Sequence, residues 1–259
     1  MLAIISGSGF SEMEGLETVE RFSIDTPFGK PSGELVKCRV GGHAVLFLPR
    51  HGQHHSIPPH RVNYRANIWA LKQFGAERII SISAVGGIQN EMVPGSIAIG
   101  NQVLDFTKNR VNTFFEENDV VHVDFTDPYC SDMRDIFISS STEHGVKIIG
   151  KVTYVAVEGP RLETSAEISF YRSLGADVIG MTAMPEAVLA REAELCYSGI
   201  YVVTNYAAGM AIGKLTVDEV LETMRKASAD VHALLTVSLP SFQKDRACPC
   251  RDALKNARM

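Results

Sequence analysis

One pattern constrains this chain more than any other. Short runs of apolar, often β-branched residues end in glycine, serine or a small polar cluster, and in the second half they alternate with segments carrying helix start signals. Residues 2–5 run into Gly7-Ser8-Gly9, residues 35–40 and 44–48 meet at Gly41-Gly42, and residues 78–83 run into Ala84-Val85-Gly86-Gly87. Runs that are apolar throughout suit strands buried on both faces. Further strands are expected over 96–99, 102–106, 147–157, 178–179 and 197–204. Helices are expected over 62–74 and 132–143, with Gly75 and Gly145 as their stops. Thr164-Ser165-Ala166-Glu167 and Thr216-Val217-Asp218-Glu219 are capping boxes, and each should open a helix. The second of these helices carries Val220, Met224, Ala227, Val231 and Leu234 on its core face. Pro185 fits the first turn of a helix running to about Glu194. The alternation implies an α/β fold, a mixed and mostly parallel sheet flanked by helices. With no internal repeat, low-complexity segment or linker, residues 1–259 read as a single domain with a Cys-x-Cys tail.

Composition narrows the function. The chain of 259 residues is 45% hydrophobic, ample for a large core, and its net charge is −5 with acids and bases interspersed. No long basic run is present, which argues against nucleic acid or a membrane surface as partner. The first residues lack the charged and apolar regions of a signal peptide, and no apolar run approaches about 18 residues. A cytoplasmic protein is expected. Of five cysteines, Cys38, Cys130 and Cys196 are scattered as free core thiols usually are, while Cys248 and Cys250 flank a proline in the tail.

Several strand ends carry residues suited to ligands. Gly7-Ser8-Gly9 offers backbone N–H groups and a hydroxyl to an anion, although on local evidence alone a plain turn is the favoured reading. Arg50-His51 follows a strand, and an arginine fork matches phosphate oxygens. The neighbouring His54 and His55 raise the question of a metal, but no acid or thiol accompanies them and none is expected. Ser83 and Ala84 sit among small residues that permit close backbone approach. Glu163 falls just before a helix N-terminus, where the dipole favours its ionised form. Thr182 is placed to cap a helix or hold an anion, and Asn205 ends the last strand. Ligands bind at that edge in α/β sheets, and the set favours an anion together with a polar organic molecule.

The segments GSGF, LPRHGQHHSIPPHRVNYRANIWALK, SAVGG, VEGPRLETSAE, GADVIGMTAMPEAVLAREA and VTNYAAG resemble the trimeric nucleoside phosphorylase family, nearest the branch containing methylthioadenosine phosphorylase. The likeness runs from residue 1 to about 240 with the motifs in order. It implies a phosphate site from Ser8, Arg50, His51, Ser83, Ala84 and Thr182, with Ser8 standing where threonine is common. It places Met181 beside the ribose, and Leu162, Asn205, Tyr206 and Ala207 at the substrate. His55 and Val217 resemble positions near the ribose 5′ end. A homotrimer or a dimer of trimers is implied, with inorganic phosphate as co-substrate and no metal or organic cofactor.

The base pocket departs from the methylthioadenosine branch, which has Asp-Tyr-Asp at the last strand end and a small hydroxyl residue at the position of Glu163. Here the residues are Asn205-Tyr206-Ala207 and Glu163, a pair that resembles the 6-oxopurine-specific phosphorylases. The chemistry agrees, because a carboxylate accepts the N1–H of hypoxanthine or guanine while an amide N–H meets O6 and supports N7. Adenine reverses both edges. Phosphorolysis of 6-oxopurine nucleosides is therefore expected, with Glu163 and Asn205 carrying catalysis and base specificity. Inosine, guanosine and 5′-methylthioinosine are not distinguished, because apolar Val217 suits a methylthio group and His55 suits a hydroxyl. The alternatives are a methylthioadenosine phosphorylase, a hydrolytic nucleosidase, or a non-catalytic nucleoside-binding protein lacking the anion site.

Overall fold

The computed structural model describes residues 1–7, 17–116, 119–211, 216–243 and 245–259. The strands are β1 (Leu2–Ser6), β2 (Glu17–Phe22), β3 (Leu35–Val40), β4 (His43–Pro49), β5 (Arg78–Gly87), β6 (Ile97–Phe106), β7 (Gly150–Val157), β8 (Val178–Gly180) and β9 (Cys196–Tyr206). The helices are α1 (Tyr64–Gln73), α2 (Ser131–His144), α3 (Ser165–Ser173), α4 (Ala183–Glu192) and α5 (Val217–Ser238).

The N-terminal run shows why the fold has two helical layers. β1 is buried along its whole length. Ala3 and Ile5 pack into one apolar cluster with Ile68 and Leu71 of α1 and Ala187, Leu189 and Ala190 of α4. Leu2 and Ile4 point the other way, into a cluster with Met133 and Phe137 of α2 and Met224, Ala227, Val231 and Leu234 of α5. That is the two-residue period of a strand covered on both faces. α3 covers a third cluster, placing Ile168 and Tyr171 against Val155, Val157 and Ile179.

The nine strands form one mixed sheet in the order β2-β3-β4-β1-β5-β8-β7-β6-β9, and β9 also pairs with β5. The far half thus closes into a ring, β5-β8-β7-β6-β9 and back to β5. Closure is invisible to local patterning, which reads an open sheet equally well. In register, Ser6 of β1 faces Pro49 of β4 and Ile82 of β5, while Gly86 of β5 faces Asn205 of β9. The carboxyl ends of four strands therefore gather at one place.

Both capping boxes form, with Thr164 and Thr216 accepting from the backbone N–H groups of Glu167 and Glu219. Elsewhere the boundaries move. The expected strands 96–99 and 102–106 are one strand, β6, whose register shifts between Gly100 and Gln102. The strand expected from 147 begins at Gly150. α1 starts two residues later than expected, because Asn63 caps it through its side chain. α4 ends at Glu192 rather than 194. Val220 is only partly buried and lines a cleft instead of the core. β2 gave no sequence signal, since it is a charged, largely exposed edge strand.

Candidate active site

The strand ends border a cleft of about 1210 Å³ lined by residues of β5, β8 and β9, by the segments that follow β1 and β4, by the approach to α3 and by the first turns of α5. It brings together Arg50, His51, His55, Ser83, Ala84, Leu162, Glu163, Met181, Thr182, Asn205, Tyr206, Ala207 and Val217. Ser8, the remaining residue expected at the anion site, lies outside the described residues.

Arg50 leaves β4 at its end, where its N–H donates to the Ser6 carbonyl, and turns its side chain into the protein. The guanidinium is fully buried. Nε and Nη2 grip the Glu186 carboxylate at 2.8 and 2.9 Å, Nη2 also donates to Ser81 Oγ at 2.7 Å, and Nη1 donates to the Ile82 carbonyl and to Ser83 Oγ, each at 3.2 Å. Burial disfavours this charge, but Glu186 outweighs that cost and leaves the pKa raised. Room for the guanidinium depends on Gly7, because a Cβ there would lie 2.9 Å from Nη1. Arg50 is thus not the free fork that the sequence suggests. Its five donors are all engaged, and its charge is compensated by Glu186, itself also hydrogen-bonded by the Tyr197 hydroxyl.

Ser83 Oγ accepts from Arg50 and lies 3.1 Å from Thr182 Oγ1. These two buried hydroxyls, from β5 and the turn after β8, face the cleft together. Thr182 does not cap α4 through its side chain, contrary to one reading of its position; its hydroxyl meets Ser83 instead, and its N–H donates to the Tyr154 hydroxyl.

His51 is buried with Nδ1 at 2.8 Å from the Ile57 carbonyl. Burial first, and then the neighbouring Arg50 charge, push its pKa down to about 3. The ring is therefore neutral near pH 7, with Nδ1–H donating to Ile57 and Nε2 left as an acceptor. His55 packs against it with the rings tilted at 40° and their centroids 4.2 Å apart, and burial lowers its pKa too. Among the described residues these histidines belong to no group placed to share a metal.

At the end of β9, beside Gly86 of β5, Asn205 has a fixed orientation. Its Oδ1 accepts from Thr204 Oγ1 at 2.8 Å, and its Nδ2 donates to the Tyr206 carbonyl at 2.9 Å. One amide N–H is left over. Glu163 sits just before the Thr164 cap, as expected, but its pKa is raised rather than lowered. Burial is the main cause and Glu167 adds to it, against the lowering effects of its own backbone N–H and Arg161.

Two residues in this region had no sequence signal. Glu186 looks like an ordinary helix carboxylate until β4 and α4 are brought together. Arg110, from the segment after β6, is almost wholly buried. It donates to the carbonyls of Met181, Met184 and Glu158 at 2.7, 2.6 and 2.7 Å, which ties the turn before α4 to the turn before α3. Gly159 in the latter turn has φ +65°, and a Cβ there would strike the Met181 sulfur at 2.4 Å. Met181 is thus seated between Arg110 and Gly159.

The strand ends of the sheet thus gather around one cleft whose lining includes a buried hydroxyl pair, a carboxyl and an amide, the layout of an α/β fold with its site at the carboxyl ends of the strands. The chain belongs to the phosphorylase superfamily, whose family model matches residues 1–239. It is 49% identical over 257 residues to the probable S-methyl-5′-thioinosine phosphorylase of Thermodesulfovibrio yellowstonii, covering 99% of this chain and 96% of that one. It is 48% identical over 263 residues to the 6-oxopurine nucleoside phosphorylase of Pyrococcus furiosus, covering 99% and 98%. Among solved structures, methylthioadenosine phosphorylase from Schistosoma mansoni in complex with adenine superposes with a TM-score of 0.94 at 33% identity, covering 100% of this chain and 98% of that one.

Proposed function

We propose that this protein catalyses the phosphorolysis of 6-oxopurine nucleosides, releasing the free base and a ribose 1-phosphate. The observation that carries the reading is one cleft holding the Glu163 carboxyl, the spare Asn205 N–H and the Ser83–Thr182 hydroxyl pair. Glu163 and Asn205 match the N1–H and O6/N7 edge of hypoxanthine or guanine. The names of the two relatives above, both acting on 6-oxopurine nucleosides, support the same substrate class.

Phosphate occupies the hydroxyl side. Arg50 acts on it through Ser83: by donating to Ser83 Oγ it polarises that hydroxyl, whose proton is then offered to a phosphate oxygen. Thr182 adds a second hydroxyl and Ala84 backbone N–H. His51 Nε2 accepts a hydrogen bond from the P–OH of monohydrogen phosphate, since its other nitrogen is committed to Ile57. As the C1′–N9 bond lengthens, the ribose gains oxocarbenium character, which the phosphate dianion stabilises before bonding to C1′. The electron pair of the broken bond leaves with the purine, and Asn205 supports it at N7. Met181 lies beside the ribose, Leu162, Tyr206 and Ala207 bound the base, and His55 and Val217 flank the 5′ group. The chemical step uses no metal or organic cofactor.

The enzyme is assigned to the cytoplasm as a homotrimer or a dimer of trimers. No described helix is long and apolar enough to cross a membrane. The exposed rim at Gln53–His55 and the exposed Leu162 beside the cleft support a neighbour's approach to the site. The test is cleavage of inosine, guanosine, adenosine, 5′-methylthioinosine and 5′-methylthioadenosine with and without phosphate, alongside light scattering. Phosphate-dependent cleavage of the 6-oxopurine members is expected. Cleavage that ignores phosphate would make the protein a hydrolase, and a fully active monomer would remove the oligomer.

A further inference from the structure

At the other end of β9 the fold assembles something the sequence kept apart. Cys130 stands at the N-cap of α2, Cys196 opens β9, and Cys248 and Cys250 flank Pro249 in a short turn of the tail. All four are buried, and their sulfurs lie within 4.8 Å of one another. Cys130 and Cys196 are thus not the scattered core thiols that the sequence suggests, because the fold brings both into this cluster. Only Cys38 stands apart, in β3 with its thiol toward the Val45 carbonyl and its pKa pushed up by burial to about 11.

We propose that Cys130, Cys196, Cys248 and Cys250 form a tetrathiolate site for a thiophilic divalent cation, zinc foremost, which pins the C-terminal tail to the start of β9. A tetrahedral ion with Zn–S bonds of about 2.3 Å sets its sulfurs about 3.8 Å apart, so the cluster already has the right dimensions. Cys196 Sγ and Cys248 Sγ are 3.2 Å apart, well beyond the roughly 2.05 Å of a disulfide, and all five cysteines are free thiols. Four sulfur ligands select zinc over magnesium or calcium, which prefer oxygen. Binding displaces one proton from each thiol and leaves a complex with two net negative charges. Arg191 Nη1, 4.0 Å from Cys250 Sγ, and the N-terminal end of α2 at Cys130 offset part of that charge.

The tail is held in place for this role. The Asp132 carboxylate faces the backbone N–H groups of Cys248 and Ala247, and Arg246 donates to the Glu194 carbonyl. The ion's role is structural: all four positions are filled by protein, and Asn205 lies nine residues along β9, roughly 30 Å away.

The test is made on the full-length enzyme purified under reducing conditions without chelator. Elemental analysis should find about one zinc per chain, and thiol titration should find four sulfurs masked until a mercurial releases them. Cobalt reconstitution should give the sulfur-to-cobalt charge-transfer band and the visible bands of a tetrahedral thiolate site. Cys248→Ser with Cys250→Ser should lose the metal and lower Tm, leaving KM for phosphate unchanged, whereas Cys38→Ser should keep the metal. If the double variant does not fold, the cobalt spectrum of the unaltered chain still decides. Reduced protein that takes up neither ion overturns the proposal. So does protein isolated with the four cysteines as two disulfides, which intact mass detects.

Discussion

Asn205→Asp is the most informative single change, because the structure fixes what each amide atom does. The Tyr206 carbonyl, 2.9 Å away, can only accept, so the amide atom facing it is Nδ2, which leaves Oδ1 to accept from the Thr204 hydroxyl at 2.8 Å. An ionised aspartate keeps the Thr204 contact but sets an oxygen against that carbonyl and against O6 of the base. The enzyme loses one donor to a 6-oxopurine and leaves an acceptor unpaired, at about 1–3 kcal/mol for each such loss. A 6-aminopurine, by contrast, gains an acceptor for its amino group. Together the two effects should move the inosine-to-adenosine ratio of kcat/KM by about 3 kcal/mol, roughly a hundredfold. The unaltered enzyme should start from a preference of at least about a hundredfold for inosine, since a site built on hydrogen-bonding edges rejects the reversed edge strongly. Competitive rates at saturating phosphate measure both ratios. Glu163→Ala should lower inosine and guanosine turnover while sparing adenosine, and the two changes should not add, because both residues hold one base. An unchanged ratio in Asn205→Asp, or equal cleavage of adenosine and inosine by the unaltered enzyme, would refute the reasoning.

Arg50→Ala strands the buried Glu186 carboxylate and should cost about 3–5 kcal/mol of stability, seen as a lower denaturation midpoint; Arg50→Met with Glu186→Leu should recover much of that stability but not phosphate-dependent turnover. Burial raises the Glu163 pKa, so kcat/KM for inosine should climb with pH through an apparent pKa above the ordinary glutamate value, as the ionised form accepts N1–H; Glu163→Gln should erase that limb. The stability linkage has the opposite sign: Glu163's contribution is present while the group is protonated and is lost as pH rises from its unfolded to its folded pKa, so a Tm–pH profile of the same variant checks it. Arg110→Ala frees the carbonyls of Met181, Met184 and Glu158 and should raise nucleoside KM and lower kcat together, with phosphate KM much less affected, as steady-state kinetics would show.

Sequence by itself determined what is local. The buried strands announced themselves as apolar runs, and Thr164 and Thr216 announced two helix starts, because a cap needs only residues three apart. Arg50, Ser83, Ala84 and Asn205 were legible because each lies at or just beyond the end of an apolar run, whereas His55, Leu162, Met181, Tyr206, Ala207 and Val217 were placed by the family resemblance; all the candidates in the described segments border one cleft. What only the tertiary structure decided is who meets whom. Arg50 and Glu186 are 136 positions apart, and nothing near either predicts that one fills the other's fork. The helix dipole argued for an acidic Glu163, and burial by the surrounding fold reversed it. The closed ring and the four-cysteine cluster have the same origin. Pairing and convergence of distant segments are set by how the buried faces of the whole chain fit together, and no short window of residues carries that information.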